Sequence, residues 1–196
     1  MSKIIPVKLE PPVISFASRE EWSAWLEKNH ANEEGIWLKF FKKNSGTPTV
    51  VYQEALLEAL CYGWIDGQLK KLDENAYIQR FTPRRKRSMW SKRNADLVLQ
   101  LEKEGKMKPS GIKQVDAAKA DGRWDTAYHS PSKMQVPDDF IQRLSKNKKG
   151  LAFFNTLDKT NLYSLAFRLQ TAKTPEIREK RMKAILEMMS RKEKFH

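Results

Sequence analysis

One cysteine, Cys61, stands in 196 residues, so no intrachain disulfide is open to this chain and a reducing compartment is expected. Histidine is almost as scarce: His30, His129 and His196 have no HxxxH or CxxC partner, which argues against a protein-bound zinc or other metal. There is no tract of about 18 apolar residues that would span a bilayer, so no transmembrane segment is expected. The opening stretch MSKIIPVKLEPPVISFAS carries one lysine before a short apolar run broken by prolines and a glutamate. It lacks the apolar core and small-residue cleavage site of a signal peptide, and a cytoplasmic location is the expectation. No Walker loop or GxGxxG is present for a nucleotide cofactor, and no GxSxG elbow for serine hydrolysis.

Acids are also in deficit, with 24 Asp and Glu against 37 Lys and Arg and a formal charge of +13. Such an excess attracts phosphate-rich polymers, anionic lipids or anionic small molecules at long range without naming any of them. It gathers at 80–93, at Lys146, Lys148 and Lys149, and in the last helix. The later two clusters fit solvated faces that keep a protein soluble. The first differs because aromatics interleave it. With 40% hydrophobic and 31% charged residues, the composition is that of a globular protein.

Along the chain, Ser18-Arg19-Glu20-Glu21 has the form of a capping box, and Trp22, Trp25 and Leu26 follow at i, i+3 and i+4, predicting a helix over 19–30 with its tryptophans inward. Residues 36–41 alternate Ile36, Leu38 and Phe40 with Trp37, Lys39 and Phe41, the period of a strand. Ala55, Leu56, Ala59 and Leu60 stripe a helix over 52–62 that Gly63 ends. Strands over 64–72 and 76–82 flank an Asp73-Glu74-Asn75 turn, which makes an antiparallel hairpin. The basic run 84–87 reads as an exposed loop before a helix that starts near Ser88 or Ser91 and places Asn94, Leu97, Val98 and Leu101 on one face. A short helix after Pro109 puts Ile112 and Val115 inward.

Beyond Asp121-Gly122 the pattern loses its period. The expected organisation is an α+β domain over 1–122, a linker over 123–137 packed through Trp124 and Tyr128, and a helical C-terminal region over 138–196. Its helices fall near 138–146, 150–157, 159–172 and 175–190. Thr174-Pro175-Glu176 supplies an N-cap, a proline at N1 and a first-turn acid for the last one, and the tail 191–196 is expected to fray.

The chemistry concentrates at 64–94. Arginine's planar fork suits bidentate contact with phosphate or carboxylate, and Phe81, Trp64 and Trp90 offer stacking faces beside it. Trp64, Asp66, Arg80, Arg84, Arg85 and Trp90 therefore form a candidate basic, aromatic-lined ligand cleft. The plainer reading makes these arginines surface charge or internal salt bridges, with Asp66 fixing a turn or pairing with Arg80, Arg84 or Arg85. A general-base role for Asp66 needs a raised pKa, which a neighbouring guanidinium opposes. Lys173, Arg178 and Arg181 form a second basic candidate, with pairing to Glu176, Glu179 or other acids as the alternative. Cys61 lies on a helix that buries Ala and Leu, as a structural thiol does. No residue set dictates a reaction, so no catalytic residue is assigned and no cofactor is expected.

The segment Ala59-Leu60-Cys61-Tyr62-Gly63-Trp64-Ile65-Asp66-Gly67, followed by Arg80-Phe81-Thr82-Pro83-Arg84-Arg85, Ser88, Trp90-Ser91 and Asn94, resembles the YdeI/OmpD-associated proteins. The GxMxPxG pattern appears as Gly105, Met107, Pro109 and Gly111, and the AKxxETRxxRI pattern as Ala172, Lys173, Glu176, Arg178 and Arg181. Ile177 replaces a Thr and Met182 an Ile of that last pattern. The resemblance spans about residues 16–192. It implies a YjbR/CyaY-like fold, a small antiparallel sheet packed by helices on one side, and a part in bacteriocin protection or resistance to cationic antimicrobial peptides. It implies no catalytic residue.

Together these readings give a non-enzymatic binding or stress-protection protein with an anion-binding cleft. A cationic protein does not trap cationic peptides by charge, so protection would act indirectly. The alternatives are a nucleic-acid-binding protein, without an RNP motif or zinc finger for sequence readout, and an enzyme on an anionic metabolite with Asp66 as acid or base. The expected partners are an anionic small molecule, a nucleic acid or another protein.

Overall fold

Alternation at 36–41 builds the strand around which a four-stranded sheet forms. The computed structural model describes residues 10–130 and 133–196. Within them the sheet runs β1 (Val13–Ser15), β2 (Ile36–Phe41), β4 (Ala76–Pro83), β3 (Trp64–Lys71), with β1 parallel to β2 and the other pairings antiparallel. β3 and β4 are the expected hairpin, and Asp73 Oδ1 accepts from the Asn75 N–H at 2.7 Å in its turn. The chain is α+β, and it divides into two compact units. The first holds the chain up to Ser88 together with Asn94–Trp124. The second holds Met89–Arg93 with Asp125–His196. Among the described residues no helix is long and apolar enough to cross a membrane.

In the first unit the helices are α1 (Arg19–Asn29), α2 (Tyr52–Cys61), most of α3 (Lys92–Lys103) and α4 (Pro109–Ala120). Ser18 caps α1 by accepting from the Glu21 N–H, and the Glu21 carboxylate accepts from the Ala17 N–H at 2.8 Å. Trp22 and Leu26 are fully buried. Each buried indole N–H needs a partner, and the Trp22 one donates to the Ala55 carbonyl at 3.0 Å while that of Trp64 donates to the His30 carbonyl at 3.1 Å. Trp22 meets Phe81 edge-on with ring centroids 5.8 Å apart. Arg19 and Ser23 of α1 both donate to the Glu58 carboxylate of α2, at 2.6 and 2.9 Å.

The register then fixes two faces. Phe81 pairs with Ile36 on one side and Asp66 on the other, so Ile36, Leu38, Phe40, Phe81, Trp64 and Asp66 share the face toward α1 and α2. Trp37, Arg80, Thr82, Ile65 and Gly67 take the opposite face by the period of two.

Gly63 ends α2 in the left-handed region at φ +75°, as its place after the helical stripe predicts. α4 crosses the same end of α2: the Lys108 N–H donates to the Cys61 carbonyl at 3.0 Å, and Gly111 lies so close that a Cβ would collide with that carbonyl oxygen. The close approach turns Gly111, Val115 and Ala118 inward and leaves Ile112 41% exposed, correcting the expectation for Ile112. The three-residue β1, directly after Pro11-Pro12, goes unread in the sequence because it is too short to show a period.

The second unit contains α5 (Asp138–Leu144), α6 (Lys148–Phe154), α7 (Lys159–Gln170) and α8 (Pro175–Arg191), around a core of Phe140, Leu144, Leu165, Leu169, Met182, Ile185 and Met189. Thr174 caps α8 and Asp158 caps α7. The tail does not fray: the Glu193 N–H donates to the Met188 carbonyl, and the Phe195 and His196 N–H groups donate to Asn161 Oδ1 at 2.9 and 3.3 Å. Asn161 is 1% exposed, so the tail supplies donors to a buried acceptor, and the Phe195 ring lies under Arg168.

Overpacking a tight backbone contact costs about 1–3 kcal/mol. Gly111→Ala should therefore lower the unfolding free energy by an amount in that range, read as a lower denaturant midpoint at unchanged m; an unchanged midpoint would show that α4 is not held against the end of α2.

Candidate functional site

At the end of the sheet where β1 and β2 begin and β4 finishes, a cleft of about 1060 Å³ opens. Its walls come from Glu10–Pro12, the loop Asn32–Gly35, the opposite-face residues Ile65, Gly67, Arg80 and Thr82, and the turn Pro83–Ser88. Gly35 makes the approach of the acidic loop to β4 feasible. It adopts φ +120°, and a Cβ there would strike the Phe81 carbonyl and lie 3.0 Å from Arg80 Nη2.

Arg80 is the centre of the cleft. Its Nη2 donates to the Glu34 carbonyl at 3.3 Å, and its Nη1 is buried without a hydrogen-bond partner among the described residues. Burial lowers the guanidinium below the ordinary arginine range; Glu10 and Glu34 oppose that and nearby Arg85 adds to it. Arg84, at 6% exposure, donates from Nη1 to Ser88 Oγ at 3.0 Å, and its backbone N–H donates to the Gly63 carbonyl. The expected exposed loop is thus exposed only at Arg85, Lys86 and Arg87, because Arg84 is drawn in by these two bonds. Arg87 takes a left-handed φ of 72°, and Arg123, paired with Asp121, donates to the Ser88 carbonyl at 2.8 Å, which holds the turn.

The six-residue candidate set is divided. Arg80, Arg84 and Arg85 line the cleft. Trp64 and Asp66 lie on the other face of the sheet. Trp64 is 1% exposed with its ring edge-on to Trp22 and Trp25, so it presents no stacking face. Phe81 is equally enclosed. Trp90 belongs to the second unit. No aromatic ring is among the lining residues, which corrects the expected aromatic lining.

Asp66 is not an arginine partner. Its Oδ2 accepts from the Tyr52 hydroxyl at 2.7 Å and from Gln79 Nε2 at 3.1 Å, tying β3 to α2 and β4. Sequence reasoning had placed it beside the arginines because the hairpin brings them close along the chain; strand parity puts them on opposite faces. The residues it missed are Glu10, Glu33 and Glu34, and the one signal for two of them was an acidic pair just before a strand-opening glycine.

Two residues of the second basic candidate, Arg178 and Arg181, are engaged internally. Arg178 forms a fork with Asp139, 2.6 and 2.9 Å, and this pairing holds the Asp139 carboxyl below the usual range. Arg181 donates to the Arg168 carbonyl at 2.7 Å in the last turn of α7, and Lys173 is exposed. The cleft on Glu176 and Lys180 includes none of the three. Cys61 is buried, and burial first and Glu58 second push its thiol up to about 11.

The family model described as "Domain of unknown function (DUF8412)" matches residues 14–114, just over half of the chain and all of the sheet but part of its first strand. A second, described as "Bacteriocin-protection, YdeI or OmpD-Associated", matches residues 133–192 and thus the helices α5 to α8. No curated protein and no solved structure matches the chain.

Two outcomes follow from this geometry. Asp66→Ala removes the acceptor of two hydrogen bonds to a carboxylate and should cost about 1.5–3 kcal/mol in urea unfolding; an unchanged unfolding free energy would show that these bonds do not hold β3 to α2 and β4. Iodoacetamide at pH 8 should label Cys61 only on unfolding, because the fold holds the neutral thiol. That contribution is complete below the unfolded thiol's range near pH 8.5 and is lost as pH rises through about 11; rapid native labelling would contradict the burial.

Proposed function

This chain belongs to the DUF8412 family, and we propose that it is a non-enzymatic binding protein that holds an anionic group of its ligand on Arg80, Arg84 and Arg85. The observation that carries this reading is the buried, unbonded Nη1 of Arg80 in a cleft wall. A buried donor without an acceptor costs about 1–3 kcal/mol, and a carboxylate or phosphate oxygen brought to the same guanidinium offsets that cost through a charge-assisted bond. Arg85 follows with an exposed side chain and Arg84 lines the same wall from a buried position, so an entering anion meets a wall that carries three positive charges.

Asp66 supports a structural role better than a catalytic one, since both of its partners are structural and it lies across the sheet from the arginines. The protective role named for the C-terminal match is, on this reading, exerted through the ligand rather than by capture of cationic peptides. The proposal includes a cytoplasmic site of action, a relation to the YjbR/CyaY-like proteins, and the 123–137 linker between an α+β domain and a helical region.

Thermal-shift measurements with phosphate, carboxylates, nucleotides and short oligonucleotides test it. A ligand at a hundredfold excess over its Kd adds about 2.7 kcal/mol of apparent stability. The upward shift should appear with at least one small anion and vanish in Arg85→Ala, whose exposed side chain spares the fold. An anion-induced shift that persists in Arg85→Ala and Arg84→Ala would refute the site. A shift confined to oligonucleotides would favour the nucleic-acid alternative.

A further inference from the structure

The cleft carries charge of both signs. Three arginines and three glutamates line it, so its formal charges cancel. Arg80, Arg85, Glu10, Glu33 and Glu34 nonetheless form no ion pair among the described residues. The arrangement has a topological origin. β2 and β4 are antiparallel neighbours, with Ile36 opposite Phe81, so the acidic loop entering β2 and the basic turn leaving β4 flank one another. The acidic loop also follows directly on the C-terminus of α1, whose helix dipole places partial negative charge there. A positive group is favoured on that side and a negative group on the other.

A plain anion leaves the acidic side of this cleft unmatched. On Arg80 it also meets the field of Glu10 and Glu34, carboxylates of the same cleft whose charge reaches that guanidinium. A plain cation meets the same difficulty with Arg85. We infer that the ligand is a small zwitterion, with its carboxylate on Arg80 and Arg85 and its ammonium on Glu33 and Glu34; this rests on the anion-binding reading of the same arginines. The chemistry is that of a free amino acid or a short peptide with both ends unblocked. A volume of about 1060 Å³ admits several residues, just above the roughly 300–1,000 Å³ common for ligand clefts.

Isothermal titration with trialanine, N-acetyl-trialanine, trialanine amide, alanine and inorganic phosphate decides the matter. Trialanine or alanine should bind, and the preference between them assigns the peptide or the amino acid. Blocking either end of the better binder should weaken it at least tenfold. Glu33→Gln with Glu34→Gln should abolish the penalty for acetylation, and Arg85→Gln the penalty for amidation; all three side chains reach solvent, so the variants keep the fold. Equal binding of the free and acetylated forms, or binding of phosphate alone, would overturn the zwitterion and leave the anion reading standing. No binding by any probe, phosphate included, would overturn both.

Discussion

The strand period in β4 governs everything on the first unit. Phe81 and Arg80 are neighbours in sequence and must point to opposite sides of the sheet. Phe81 is buried against Trp22, Phe40 and Trp64's layer, a burial worth about 1.5–3 kcal/mol for one such ring. That anchor prevents a one-residue slip, which would carry the guanidinium into the aromatic core and Phe81 into the cleft. The hydrophobic layer therefore sets where charge appears, and the cleft is a consequence of the core on the other side of one strand.

A second constraint is where the loops leave. Antiparallel pairing brings the start of β2 beside the end of β4, and Gly35 permits a backbone approach that a side chain would block. Arg80 is then held by the Glu34 carbonyl rather than by a carboxylate. Had Glu33 or Glu34 closed on it as an ion pair, the desolvated guanidinium would be neutralised and the cleft would be a structural contact. As it stands, Arg80 and the glutamates line one cleft without closing on one another as ion pairs among the described residues.

Much of the fold was legible because its signals are local. The Ser18 cap, the stripe of α2 ending at Gly63, the Asp73 turn and the Thr174-Pro175 start each depend on residues within one turn of one another, and each element lies within a few residues of its expected bounds. The candidate site was half legible. Arg80, Arg84 and Arg85 were found by composition, whereas Asp66 and Trp64 were grouped with them by proximity along the chain, a measure blind to strand parity. Ile112 and the tail were misread for a related reason: the Gly111 contact with Cys61 and the Asn161 acceptor for Phe195 lie far apart in sequence and leave no periodic trace.

The motifs that carried the resemblance divide by what they do. Gly105 ends α3 in the left-handed region, Pro109 opens α4 and Gly111 lets it touch α2, so the GxMxPxG pattern is a device for packing one helix onto the end of another. Arg178 and Arg181 join α8 to α5 and to the end of α7, which makes the C-terminal pattern a packing device as well. Only the Arg80-Phe81-Thr82-Pro83-Arg84-Arg85 run does both kinds of work, since Phe81 faces the core while its arginines face the cleft. Ile177, in place of a threonine, sits at a point where Thr174 already accepts the Ile177 N–H, so the helix start keeps its cap without that hydroxyl. The run at 80–85 is thus where the core and the cleft wall constrain the same residues.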